Sequence, residues 1–321
     1  MARVSYDENQ PSTRPRRTGR GNLTIAIAAL VPTALAGWLV WKAIGGPEDN
    51  EPPKVPPVPS RQTTAGKPGP GPLPSPSAPS PAASAAPSPT PSKGSTSGPL
   101  AGKVVVVDPG HNPGNFRHTS EINKLVDIGT NRKECDTTGT ATNGGYTEAE
   151  FTFDVSQRLR MLLEKQGATV KFTHTNDRPF GPCVDERARI GNKAGADAVV
   201  SVHADGSGVG NRGFHVILPA LVKGGAADTA KIVAPSRDLG ERIAGKFVRA
   251  TGSAPSNYVG GGTGLDVRED LGGLNLSTVP KVFIECGNMR DPKDAVLLKS
   301  SSWRQKAAQG IADGIGSYLQ R

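Results

Sequence analysis

Three short apolar runs in this 321-residue chain each deliver a side chain that can bind or work a metal ion. Residues 103–110 (KVVVVDPG) lead into His111, residues 198–202 (AVVSV) into His203, and residues 279–284 (VPKVFI) into Glu285. Imidazoles and a carboxylate are typical donors of hydrolytic zinc sites, which keep three protein ligands and leave one position for water. Short β-branched runs read as buried parallel strands. In open α/β sheets, ligands sit at the carboxyl ends of such strands. The pattern predicts a metal site at the C-terminal strand edge of an α/β sheet, suited to metal-assisted hydrolysis.

Two histidines need a third ligand. Glu148 is the best candidate, because it opens a predicted helix, where a negative side chain suits the N-terminus. Glu150 competes with it. Two residues along a helix turn the side chain by roughly half a revolution, so only one of the pair can face the metal. Glu285 is then the free carboxylate that takes a proton from the attacking water and passes it to the leaving nitrogen. His215 falls mid-strand, His118 in a long polar excursion and His174 at a strand exit, so none of the three is read as a ligand. The chain has no H-E-x-x-H helix, which separates it from the common metalloprotease pattern.

The elements that must hold these residues follow from periodicity. Residues 112–146, rich in Gly, Asn and Thr, read as an irregular excursion or small hairpin over the site. Phe151, Val155, Leu159, Leu162 and Leu163 recur at helical spacing within residues 148–166, and Gly167 stops that helix. Strands are predicted at 168–173, 196–202, 213–218 and 281–285, with a short one at 264–267. Helices are predicted at 184–194, 236–251, 291–299 and 303–319. Strands and helices alternating through crossover-length connections give an α/β domain with a mostly parallel sheet over residues 100–321.

Before residue 100 the chain has a different character. Residues 1–22 are polar and carry Arg3, Arg14, Arg16, Arg17 and Arg20, whereas residues 23–41 hold no charge and end in Trp38 and Trp41, followed by Lys42. About 20 apolar residues cross a bilayer core, and the arginines mark the cytoplasmic side. The expectation is a cytoplasmic tail at 1–22 and a transmembrane helix at 23–42, with the catalytic domain extracytoplasmic. A cleaved signal peptide ending near Ala34-Leu35-Ala36 is the alternative, and would make the protein secreted. Residues 43–99, dominated by Pro, Ser and Ala, read as a disordered linker. At ~3 Å per residue, it would reach on the order of 150 Å when extended.

The net charge of +9 divides into five charges before residue 100 and four after it. No Lys/Arg run is interleaved with aromatics, so a nucleic-acid partner is unsupported. Mild basicity suits an anionic polymer such as cell wall, and a monomer is expected. Of the three cysteines, Cys135 and Cys183 lie in predicted loops and Cys286 inside the third apolar run. A Cys135–Cys183 disulfide with Cys286 buried and free is expected in an extracytoplasmic domain. No His-Cys signature supports Cys286 as a nucleophile.

The motifs VVVVDPGHNPG, GGYTEAEFTFDVSQRLRMLLEKQGATVKFT, ADAVVSVHADG and VPKVFIECGNMRDPKDAVLL, in that order and spacing, resemble the zinc-dependent N-acetylmuramoyl-L-alanine amidases of the amidase-3 type. The likeness covers residues 102–321. The stretches NRKECDTTGTATNGGY and GPCVDERARIGN are similar to the actinobacterial branch, including mycobacterial cell-wall amidases. The resemblance implies a six-stranded, mainly parallel sheet flanked by helices. It implies His111, Glu148 and His203 as ligands of one zinc ion, Glu285 as the catalytic glutamate, and a Cys135–Cys183 disulfide. It also implies peptidoglycan or muropeptides as substrate, cut at the amide joining the lactyl group of N-acetylmuramic acid to L-alanine of the stem peptide. Thr173-His174 departs from the family's usual Thr-Arg, and Cys286 stands where many members have a small or apolar residue. Residues 223–236 are weakly patterned for the inserted plug helix of some division amidases, so no autoinhibition is expected. The rival readings are a zinc carboxypeptidase acting on stem peptides and, from another class, a non-catalytic wall-binding module.

Overall fold

The structure, a computed structural model, describes residues 97–321. The expected basic tail and membrane helix, and all but the last residues of the expected linker, lie outside the described residues. Among the described residues, no helix is long and apolar enough to cross a membrane.

In chain order the strands are β1 (Val104–Pro109), β2 (Leu125–Asp127), β3 (Arg132–Glu134), β4 (Thr169–Phe172), β5 (Ala198–Asp205), β6 (His215–Pro219), β7 (Lys223–Gly224), β8 (Ala227–Asp228), β9 (Leu265–Arg268) and β10 (Lys281–Asn288). The longer helices are α1 (Glu148–Lys165), α2 (Val184–Lys193), α3 (Val233–Thr251), α4 (Pro292–Lys299) and α5 (Ser301–Leu319). Six strands form one sheet in the order β4-β1-β5-β10-β6-β9. Every pairing in it is parallel except β10 with β6. The α/β class and the mostly parallel sheet expected from the sequence are both present. The 112–146 excursion carries the β2–β3 hairpin, and the Cys135–Cys183 disulfide ties the end of that hairpin to the start of α2.

Side chains along a strand alternate between the two faces of a sheet, and here the faces differ in kind. Val105 and Val107 of β1, Val200, Val202 and Ala204 of β5, Val282, Ile284 and Cys286 of β10, and Val216 and Leu218 of β6 all join the main core beneath α1, α3 and α5. The intervening positions carry Asp108, Ser201, His203, Lys281, Phe283 and Glu285. A small apolar cluster of Val106, Ala196 and Val199 packs on that second side, where Gly191 of α2 lies against Val199. Cys286 is free and buried. It belongs to the apolar face, turned away from Glu285, and burial pushes its thiol well above the usual range.

Three expected boundaries move. β5 and β10 continue past Val202 and Glu285, because their tails pair with each other: Asn288 opposes Asp205, and Met289 N–H donates to the Asp205 carbonyl at 2.8 Å. His203 and Glu285 are therefore register neighbours within the sheet, not residues at its rim. α3 starts at Val233, three residues before the expected Ser236, with Pro235 in its first turn. A proline there gives up an N–H that has no helical partner anyway.

The largest helix contact, between α3 and α5, depends on two glycines spaced four apart, which places them on one side of α5. A Cβ added to Gly314 would lie 2.5 Å from the Ile243 Cα, and one added to Gly310 would lie 2.8 Å from the Phe247 Cα. These are backbone atoms that cannot rotate away. Gly245, exposed in the middle of α3, has nothing within 4 Å of an added Cβ. Gly314→Ala is therefore expected to destabilise the domain by about 1–3 kcal/mol through overpacking. Gly245→Ala should stabilise it by about 0.5–1 kcal/mol through helix propensity. Denaturant midpoints of the two variants, which should move in opposite directions, are the check.

Candidate functional site

The start of α1 decides between its two glutamates. Thr147 caps the helix: Glu150 N–H donates to Thr147 Oγ1 at 3.3 Å, and the Glu150 carboxylate accepts from Thr147 N–H at 3.0 Å. This reciprocal capping box occupies Glu150 and leaves Glu148, in the first turn, pointing into the sheet. Glu148 is buried. Its Oε2 accepts from Thr140 N–H at 3.0 Å, and its Oε1 accepts from Ala204 N–H at 3.2 Å. The Thr-x-x-Glu signature was visible in the sequence and is the signal that separates the two carboxylates.

The two histidines are held in opposite tautomers. His111 Nδ1 lies 3.1 Å from the Thr137 carbonyl, an acceptor, so Nδ1 carries a proton and Nε2 is the nitrogen turned toward Glu148. His203 Nε2 sits 3.2 Å from Ser201 Oγ, whose own hydroxyl donates to Asp108 Oδ2 at 2.9 Å. That hydroxyl can then only accept from His203, which leaves Nδ1 as the free donor atom. His111 Nε2 and His203 Nδ1 converge on Glu148 Oε1 at 3.2 and 2.9 Å. The ligand atoms of His111, Glu148 and His203 all lie within 4.8 Å of one another, close enough to hold one metal ion. Orienting partners behind each ligand nitrogen are what metal sites require of their surroundings.

Local backbone geometry makes this possible. His111 adopts φ 61°, a left-handed conformation uncommon outside glycine. It directly follows Gly110, where an added Cβ would lie 2.4 Å from the His203 ring. Thr152 of α1 donates to the Gly110 carbonyl at 2.7 Å, which fixes the helix bearing Glu148 against the end of β1.

Charge is distributed unevenly around the three donors. Burial acts to raise Glu148, but the imidazoles of His111 and His203 overcome it and hold the carboxyl well below its ordinary range. Burial acts to lower His111, and the carboxylates of Glu148 and Asp136 reverse that and raise it. Glu285 differs from both. Burial, reinforced by Glu148 and Asp205, pushes it well above the usual carboxylate range. Its Oε2 is buried and has no hydrogen-bond partner. A carboxyl with that perturbation, facing a metal-binding trio in a cleft, has the profile of a general acid or base.

Beneath these residues lies a buried ionic cluster. Asp108 Oδ1 accepts from Thr173 Oγ1 and Arg187 Nη1, each at 2.7 Å, and Oδ2 accepts from Ser201 Oγ and from Lys281 Nζ at 3.2 Å. Arg187 also donates to Asp136 Oδ2 at 2.9 Å, and the other oxygen of Asp136 is 3.4 Å from His111 Nδ1. Asp108, Asp136, Arg187 and Lys281 were not singled out from the sequence. Their signal was present, in that Asp108 and Lys281 are charges inside runs otherwise read as buried strands.

His111, Glu148, His203, Asp205, Arg268 and Glu285 line one open cleft of about 310 Å³. A second cavity of about 220 Å³ adjoins it and shares His111, Thr137, His203, Leu271 and Phe283 with it. The other histidines stay outside. His118 packs on Phe180, buried His174 contacts the Pro109 carbonyl, and His215 packs edge-on against Tyr258. Residues 223–236 form the β7–β8 hairpin and the start of α3, and they do not line the cleft.

A family profile described as N-acetylmuramoyl-L-alanine amidase (Amidase_3) matches residues 105–317. The N-acetylmuramoyl-L-alanine amidase Rv3717 of Mycobacterium tuberculosis is 39% identical over 234 residues, which span 71% of this chain and 91% of that protein. The crystal structure of the N-acetylmuramyl-L-alanine amidase Ami1 from Mycobacterium smegmatis is similar with a TM-score of 0.63 and 38% identity, over 70% of this chain and 99% of that one. Ami1 from Mycobacterium abscessus gives a TM-score of 0.63 and 39% identity, over 68% and 100%. A matched domain, a shared fold and a buried His-Glu-His trio in an open cleft lead to one assignment: the chain belongs to the Amidase_3 family and is an N-acetylmuramoyl-L-alanine amidase.

Proposed function

We propose that this amidase is zinc-dependent and hydrolyses the amide between the lactyl group of N-acetylmuramic acid and L-alanine of the peptidoglycan stem, with Glu285 as the proton carrier. One observation carries the reading: His111 Nε2, His203 Nδ1 and Glu148 Oε1 converge in the same cleft as Glu285, whose buried Oε2 has no partner. Two imidazole nitrogens and one carboxylate oxygen form a donor set that suits zinc and leaves a coordination position open. Bound there, zinc supplies an acidified water and polarises the scissile carbonyl.

The chain's own residues supply the rest. Thr137 and Ser201 keep the two ligand lone pairs turned inward. Glu285 takes the proton of the attacking water on its unpartnered oxygen and returns it to the amide nitrogen as the C–N bond breaks. The cleft is open to solvent, which gives a long glycan-linked substrate a way in. Residues 23–42 are proposed to anchor the enzyme in the membrane with residues 100–321 on the cell-wall side, and residues 43–99 to give the domain its reach.

Two measurements test these assignments. Glu148→Ala should lose most of its bound zinc by elemental analysis. Glu150→Ala should keep its zinc and lose about 0.5–1.5 kcal/mol of stability with the reciprocal half of the capping box; a reversal would move the third ligand to Glu150. Glu285→Gln should keep zinc and fold, and lose about 10²-fold or more in the rate of releasing stem peptides with a free L-alanine amino group. Full activity in a zinc-replete Glu285→Gln enzyme would remove Glu285 from the proposed role.

A further inference from the structure

The cleft carries carboxylates from Glu148, Asp205 and Glu285, and among the described residues Arg268 is the only lysine or arginine that lines it. Arg268 is the last residue of β9 and is half buried. Asp270 holds one side of its guanidinium through two parallel bonds, Nε to Oδ1 at 2.7 Å and Nη2 to Oδ2 at 2.8 Å. Lys133 Nζ donates to the same Asp270 Oδ2 at 2.9 Å. The trio carries two cations and one anion, and Asp266 and Glu285 also act on Arg268 electrostatically without hydrogen-bonding its guanidinium. A guanidinium has five N–H donors; Asp270 takes two, and Nη1 makes no hydrogen bond among the described residues. Fixed at one edge and free at the other, Arg268 is preorganised for a planar, bidentate anion.

The chemistry of the substrate says which anion that is. The carboxyl group of the muramoyl lactyl arm is consumed in the scissile amide, so that side of the bond is neutral. Free carboxylates belong to the peptide half. The carboxylates of Glu148, Asp205 and Glu285 disfavour such a group beside them, and Arg268 is the basic side chain of the cleft lining that can pair with it away from the metal site. We infer that Arg268 is a specificity-determining residue that receives a free carboxylate of the stem peptide and so sets the direction in which the peptide leaves the metal site. Asp270 acts as its positioning residue, and Lys133 keeps Asp270 paired. The inference rests on the amidase reading above.

The test uses the full chain loaded with zinc and two muramoyl-L-alanyl tripeptides of identical sequence. One has its peptide carboxyls free and the other has them converted to carboxamides. The two corresponding free tripeptides serve as binding probes in calorimetry. The wild-type enzyme should bind the acid about 10-fold or more tightly than the amide, the range of a charge-assisted pair, and should show the same preference in KM with kcat little changed between the two substrates. Arg268→Gln should bring both ratios to one or below, and Arg268→Lys should fall between. Because Lys133 still pairs Asp270, Arg268→Gln leaves no orphaned carboxylate, and circular dichroism with zinc content shows that the variant is folded.

Equal binding of acid and amide by the wild-type enzyme would overturn the inference, as would a preference that survives in Arg268→Gln. A fall in kcat by the same factor on both substrates would also overturn it, because that is the mark of a transition-state role. An acid preference in binding with no cleavage of either substrate would support Arg268 and sink the amidase reading, so the two failures are distinguishable.

Discussion

Asp108 is a carboxylate at the end of a buried parallel strand, and much of the active-site architecture follows from having to satisfy it. An unpaired charge in such a place is untenable. Its two oxygens draw donors from the loop after β4, from α2, from β5 and from β10. Burial works to raise its pKa, but Lys281 and Arg187 hold it far below the ordinary range. Each tie then serves the chemistry above it. Ser201, committed to Asp108, can only accept from His203 and so fixes that ring's tautomer. Arg187, shared between Asp108 and Asp136, places Asp136 beside His111. Removing one member of a buried ionic group leaves a charge uncompensated, at a cost of about 3–5 kcal/mol. The cluster therefore makes stability and ligand geometry interdependent.

That interdependence explains why the two faces of one sheet look so different. The apolar face packs three helices and provides the hydrophobic driving force. The other face gives up that burial over three neighbouring strands, where alternate positions hold Asp108, Ser201, His203, Lys281 and Glu285. A rigid sheet is well suited to hold such groups, because register fixes the separation of Glu285 from His203 to a single interstrand step. The two candidate metal-binding residues outside the sheet strands need other means. His111 is held by a left-handed backbone next to a glycine, and Glu148 by a helix whose cap is separately satisfied. The disulfide belongs to the same design, since it joins the segment carrying Asp136 to the helix carrying Arg187.

Within the cleft the charged groups divide by how well they are paired. Glu148 and Asp136 are neutralised by close cations and donors, whereas Glu285 has one oxygen without any partner and is driven toward its protonated form by burial. Arg268 is the counterpart in the same cleft, a cation whose guanidinium is braced by Asp270.

The sequence by itself determined a good deal: the α/β class, the order of the main elements, the free and buried Cys286, and the candidates His111, His203 and Glu285. These were legible because they depend on local patterning, namely β-branched runs, helical periodicity and the residue that ends each run. The Cys135–Cys183 pairing was expected and is present. Periodicity could not show that β5 and β10 run on past His203 and Glu285, because those extensions exist only through pairing with each other. Nor could local pattern reveal that Asp108, Arg187 and Lys281 meet, since 79 and 173 residues of chain separate Asp108 from its two cations. Choosing Glu148 over Glu150 lay between these cases: the capping signature was local, but which carboxylate reaches the histidines was decided by how α1 docks against β1. Local sequence thus chose the chemical groups. Tertiary structure chose their tautomers, their charge partners and the face on which they meet, because those depend on contacts between segments far apart in the chain.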